Sequence, residues 1–156
     1  MNEEKHKELL LKDICARLSY NVICQVEFKE NGKYNSKVML LSGIFTDEAY
    51  FTAKDGSIYS NEYKPYLFPL SSMTEEQERE LLDLTGYKSE CTAYCGFDSM
   101  GYYIKNVGEF EYEEDQHSFI FYPDYIGLDW FNKNHFDYRS LIKKGLAIDA
   151  TDKNIY

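Results

Sequence analysis

The sequence predicts an α+β fold: an N-terminal helix, an antiparallel β-meander whose barrel-like closure stays open, a middle helix, further antiparallel strands and short C-terminal helices. Three observations carry this. Apolar residues recur every four positions near the N-terminus, as one face of a helix requires. Short runs rich in β-branched and aromatic residues follow, punctuated by Asn31-Gly32 and Asp55-Gly56, which suit hairpin turns. A clean helix start then stands at Thr74.

Residues 3–18 read as an amphipathic helix with Leu10, Ile14 and Leu18 on one face beside Leu11. Glu3 with Lys7, and Glu8 with Lys12, stand at the spacing that supports ion pairs on a helix. Strands are expected over 22–28, 38–45, 49–53 and 57–63. Pro65 and Pro69 remove ladder donors within 64–69 and predict an extended crossing that closes the meander. Thr74 and Gln77 then have the spacing of a capping box, and Glu75 and Glu76 suit the positive end of a helix dipole. Leu81, Leu82 and Leu84 give that helix an apolar side, and Gly86 is placed to end it.

Residues 87–101 are weakly patterned and read equally as a loop or a poor strand. Strands are expected at 102–107, 109–112 and 118–122, and a short helix over 124–132. Asp137 is placed to cap a last helix over 138–144, with Lys143 and Lys144 at its negative end and Gly145 after it. No repeat or linker divides the chain, so one compact domain spanning 1–156 is the expectation.

Composition bounds the function. A chain of 156 residues buries roughly 68–70% of its unfolded surface, enough for a core without disulfides or metal. Hydrophobic residues at 44% supply that core, and 15 tyrosines leave aromatic side chains for a surface. The formal net charge of −10 repels phosphate backbones and anionic lipid, so neither nucleic acid nor a membrane is an expected direct partner. The charged first residues are unlike a signal peptide, and no run approaches a membrane span, which predicts a cytoplasmic protein. There Cys15, Cys24, Cys91 and Cys95 are reduced thiols, the first two acting as small hydrophobes.

Four constellations stand out, each with a structural alternative. Cys91 and Cys95 would ligate zinc if His117 or His135 completed the set, but one ligand pair at this wide spacing also reads as two reduced, partly buried thiols, so no metal or cofactor is expected. His135, Asp137 and Arg139, with Asp129, Trp130 and Ser140 nearby, hold the residue types for acid-base work, and equally for capping and packing. Glu109, Glu111 and Glu113 alternate with Phe110 and Tyr112, which spaces the carboxylates roughly 6.6 Å apart along one strand face. Such a row mimics a phosphate backbone, binds a hard cation, or forms the wet side of a sheet. Tyr63, Tyr66 and Phe68, with Tyr102, Tyr103, Phe121, Tyr122 and Tyr125, suit a protein interface and also an ordinary sheet. There is no dinucleotide fingerprint, Walker loop, nucleophile elbow or zinc-protease motif.

Two long motifs carry a resemblance: Lys64-Pro65-Tyr66-Leu67-Phe68-Pro69-Leu70-Ser71-Ser72-Met73-Thr74-Glu75-Glu76-Gln77, and the segment from Asp129-Trp130-Phe131-Asn132 through His135-Phe136-Asp137-Tyr138-Arg139 to Ile148. With the opening Leu11-Lys12-Asp13-Ile14-Cys15-Ala16-Arg17-Leu18, the chain resembles small proteins carried by phages, prophages and mobile elements of gut Bacteroidetes, a family with no assigned activity. That family often has a second histidine where this chain has Asn134, which weakens a metal site at His135, and an arginine where it has Phe68, so no charge-reading role carries to that position. It implies action inside a bacterial host cell.

The leading expectation is a non-enzymatic accessory protein that binds a host or phage protein through an aromatic and acidic surface, its candidate residues being Tyr63, Tyr66, Phe68, Glu109, Glu111, Glu113, Trp130, His135, Asp137 and Arg139. The alternatives are an acidic mimic of nucleic acid that competes for a DNA-binding protein, and an enzyme of unfamiliar type using His135 and Asp137.

Overall fold

A computed structural model describes residues 3–45, 48–60, 62–84, 93–98, 101–106, 119–120 and 125–156. They fall into two units: residues 1–67 with 139–156, and residues 68–138. The predicted α+β class holds.

The first unit opens with α1 (Glu3–Arg17), followed by a 3-10 turn over Leu18–Tyr20. Asn21, at φ 56°, stops the helical run in the left-handed conformation that asparagine tolerates. The expected Glu3–Lys7 pair forms at 3.5 Å. The docking face differs from the leucine stripe read from sequence. Ile14, Asp13 and Arg17 are fully buried, whereas Leu18 is 38% exposed beyond the end of α1. Cys15 is likewise exposed and does not pack as a small hydrophobe, while Cys24 does.

Strands β1 (Ile23–Glu30), β2 (Lys33–Phe45), β3 (Glu48–Ala53) and β4 (Gly56–Ser60) form an antiparallel meander. Asn31 and Gly32 both have positive φ and make the two-residue β1–β2 turn, whose twist matches that of the strands. The second turn consists of Lys54 and Asp55, because Ala53 and Gly56 are already paired. Val22, Cys24, Val26, Met39, Leu41, Ala49 and Phe51 share one sheet face, and Ile14 and Leu10 of α1 pack against it. The register shifts between Leu41 and Gly43, so a β-bulge sits in the long strand β2.

The 64–69 segment departs from its reading as a crossing. Tyr63–Leu67 is strand β5, antiparallel to β1. Proline is accommodated because Glu27 N–H donates to the Glu62 carbonyl (2.8 Å); alternation then makes Pro65 and Cys24 a non-hydrogen-bonded pair, and the missing N–H faces away from β1. A two-residue strand near the C-terminus, labelled β9 below in chain order, runs parallel to β5 at Ile148–Asp149. The resulting six-stranded sheet has the order β4-β3-β2-β1-β5-β9 and does not close into a barrel. Leu67, Leu141 and Ala147 form a smaller buried cluster with Leu9, Leu10 and Ile142 around them.

The second unit contains α2 (Glu75–Leu84) and α3 (Tyr125–Lys133), with a three-stranded antiparallel sheet of β6 (Ala93–Asp98), β7 (Gly101–Asn106) and β8 (Phe119–Ile120). The capping box at Thr74 forms in both directions: Thr74 N–H donates to Gln77 Oε1 (2.9 Å) and Gln77 N–H to Thr74 Oγ1 (3.3 Å). Leu70, Leu81, Leu82, Trp130, Phe131, Phe136 and Tyr138 make this unit's core.

The expected helix over 138–144 is absent. In its place lie successive turns, closed by Lys144 N–H to the Ser140 carbonyl (3.2 Å) and Gly145 N–H to the Ile142 carbonyl (3.0 Å). Ser140, at φ 56°, sits in the left-handed region and interrupts the helical ladder. Asp137 is therefore not a helix cap; its N–H donates to the Phe68 carbonyl at 2.8 Å.

Candidate functional site

In the first unit, β4 and the outer half of β1 converge at one point. Ser60 Oγ donates to the Glu27 carbonyl (2.8 Å) and accepts from Glu62 N–H (3.0 Å), so the end of β4 is fastened beside β1 although the two are not neighbours in the sheet order. Beside this fastening lies a groove of about 530 Å³ lined by both strands. Its walls are residues 27–30 of β1 and 57–60 of β4, with Tyr34, Glu48 and Glu62 completing the rim.

Two features of the lining are chemical. Glu27, Glu30, Glu48 and Glu62 stand against one lysine, Lys29, and none of the four carboxylates forms an ion pair with another described residue. Lys29 itself lies over the Tyr34 ring, 5.8 Å from its centroid, as its directly opposite cross-strand partner. Tyr34 is 76% exposed and Tyr59 55%, which makes large rigid aromatic surface available at the rim. Tyr59 also packs at a tilt against Tyr50 (4.8 Å, 38° between planes) and meets Phe45 edge-on (6.3 Å). A surface that combines unpaired carboxylates and exposed tyrosines suits a basic, partly apolar partner.

A second groove of about 530 Å³ lies between the start of α1 and β5, with Leu10, Tyr63 and Ile148 among its apolar lining. Its acids and bases are more nearly balanced, Glu3, Glu27 and Glu62 against Lys7 and Lys64, and Glu3 and Lys7 are already paired.

The residues singled out from sequence are placed differently. Tyr63 is half-buried, its ring 5.2 Å from that of Phe51, and burial pushes its phenol well above the usual range. Tyr66 is buried and donates its hydroxyl to Gln25 Oε1 (3.3 Å). Phe68 packs on Phe136 at 6.2 Å in the second unit. All three make packing contacts, and Tyr63 also lines the second groove. The exposed tyrosines at positions 34 and 59 were not among the sequence candidates, and the only signal for them was their place on strands beside hairpin turns.

Trp130 is buried and stacked on Phe136 (5.5 Å, 8° between planes), its Nε1 without a hydrogen-bond partner among the described residues. His135 is buried in a left-handed conformation (φ 58°), its carbonyl accepting from Phe68 N–H at 2.9 Å. His135 and Asp137 thus flank the backbone of Phe68, with which Phe136 forms a parallel bridge. Arg139, in the first unit, donates to Asp13 Oδ1 (2.9 Å); the same carboxylate holds Arg17 through Nε (2.8 Å) and Nη2 (3.2 Å). Arg139 is a structural ion-pair residue of that buried cluster.

Glu109, Glu111, Glu113, Cys91 and His117 lie outside the described residues, and of Cys95 only the backbone, in β6, is described. Among the described residues no group of three His, Cys, Asp or Glu side chains is placed to hold a metal ion, and no helix is long and apolar enough to cross a membrane. No protein-family model, curated protein or solved structure matches the chain.

Proposed function

We propose that this chain is a non-enzymatic binding protein, an accessory factor of a phage or mobile element that engages a host or phage protein inside a bacterial cell. The contact surface on this reading is the aromatic and acidic groove between β1 and β4. The observation that carries it is the set of four glutamates without ion-pair partners among the described residues, gathered beside exposed Tyr34 and Tyr59. Tyrosines bury much area for little lost entropy and are enriched at interfaces, while carboxylates steer a basic partner to them. The net charge of −10 favours the same class of partner, and the two sequence motifs support the mobile-element setting.

The test is recovery of a specific protein from host lysate by the tagged chain, with a Tyr34→Ala/Tyr59→Ala double variant as the discriminating control. Both side chains are exposed, so the variant should keep its fold and lose the partner. Equal retention by the variant and the parent would remove the groove from the interface.

A further inference from the structure

We propose that the groove binds its partner by strand addition, taking an extended lysine-rich segment into the slot between the open edges of β4 and β1. This rests on the protein-binding reading above and specifies its mode. The register supplies the argument. The two-residue turn Lys54-Asp55 makes Ala53 and Gly56 a hydrogen-bonded pair, and alternation makes Phe51–Ile58 and Ala49–Ser60 the next two. The N–H and C=O groups of Ser57 and Tyr59 therefore point off the opposite edge of β4, where no further strand is paired among the described residues.

The facing edge of β1 is open too. Val22 accepts from Leu41 N–H, which turns even-numbered residues of that segment toward β2; Glu27 donates to the Glu62 carbonyl, which turns odd-numbered ones toward β5. Pairing with β5 covers Cys24 to Val26 and ends at that Glu27 bond, so the N–H and C=O of Lys29 face the slot. Three antiparallel steps separate β1 from β4, which makes the two edges antiparallel and places Ser57 toward the Glu30 end.

Edge strands in natural proteins are usually blunted by lysine, proline or a bulge. Strand β4, Gly56-Ser57-Ile58-Tyr59-Ser60, has none of these. Phe28 and Ile58 lie on the slot's inner side, and Glu27, Glu30, Glu48 and Glu62 line it as carboxylates. An incoming strand that alternates β-branched and lysine residues satisfies both, because its successive side chains point to opposite faces.

The experiment uses the full chain and a fluorescein-labelled heptapeptide of alternating lysine and valine, compared with a glutamate–valine heptapeptide and with the lysine peptide N-methylated at alternate residues. Anisotropy should show binding of the lysine peptide alone, weakened at least tenfold by N-methylation, by Tyr59→Pro, and by raising salt from 50 to ~500 mM. Amide hydrogen exchange at Ser57, Tyr59 and Lys29 should slow on binding. If the N-methylated peptide binds as tightly as its parent, or those amides stay unprotected, strand addition is wrong while the acidic surface remains a binding site. If no lysine peptide binds at millimolar concentration, strand addition is likewise wrong, and the lysate experiment with the tyrosine variant still decides the protein-binding reading separately. The N-methylated peptide keeps the result decisive even if Tyr59→Pro fails to fold.

Discussion

Ser60 fastens β4 to the Glu27 carbonyl of β1 through its hydroxyl, at 2.8 Å, and the same oxygen receives the Glu62 N–H at 3.0 Å. One small side chain thus holds together two strands that the sheet order keeps apart. Ser60→Ala leaves both backbone groups without this partner and should cost about 1–3 kcal/mol in urea unfolding. Exchange of the Glu62 amide should accelerate in the variant, while that of Phe51, in the middle of the sheet, should not.

Asp13 pairs with both Arg17 and Arg139 through one carboxylate, and it is fully buried. Asp13→Ala takes a fully buried carboxylate away from the fully buried Arg17 guanidinium, and a loss of about 3–5 kcal/mol is expected. Arg139→Ala removes a partly exposed partner while Asp13 retains Arg17, so about 1–2 kcal/mol is expected. The double variant should fall short of the sum of the two, as it must for groups that share one carboxylate.

Cys24 is fully buried in the core, and burial pushes its thiol far above the ordinary range; nearby Asp13 pushes in the same direction. The folded state therefore keeps a proton that the unfolded chain loses, so the stabilisation is complete below about pH 8.5 and declines above it. The slope for one such group is about 1.4 kcal/mol per pH unit. Tyr63 and Tyr156, both raised chiefly by burial, add to the decline above about pH 10. Cys24→Val should flatten the lower part of this alkaline limb. With iodoacetamide at pH 8, peptide mapping should find Cys15 labelled in the native protein and Cys24 only after unfolding.

Gly32 has φ +80° with open space around its absent side chain, so Gly32→Ala should cost about 1–2 kcal/mol from backbone strain alone. At Gly43 an added Cβ meets the Tyr50 Cβ at 4.0 Å, an ordinary contact, and φ is not in the left-handed region. Gly43→Ala should be within about 0.5 kcal/mol of neutral. Thermal unfolding of the pair separates the two effects.

Local features were legible from sequence because their signals are local. Asn31-Gly32 made its turn, Thr74 and Gln77 made their box, and the helix expected over 124–132 lies at Tyr125–Lys133. The failures have long-range causes. The burial of Asp13 had no local signal, because its partner Arg139 is 126 positions away. Strand β9 has two residues and no alternation of its own, so its parallel pairing with β5 left no pattern to read. Ser140 broke the expected last helix with a left-handed conformation that serine does not advertise, as glycine does. At the candidate site, residue type alone did not separate buried Tyr66 from exposed Tyr34; strand register and cover did.

Because the first unit draws on residues 1–67 and again on 139–156, its assembly has a built-in order. The meander can pair as soon as it leaves the ribosome, but Arg139, Leu141 and Ala147 arrive about seventy codons later. At ~5–20 residues per second that is a wait of several seconds. During that interval Asp13 lacks its Arg139 partner, and the Leu67 cluster lacks two of its three buried members. The speed of translation through the intervening segment sets how long that half-packed state lasts.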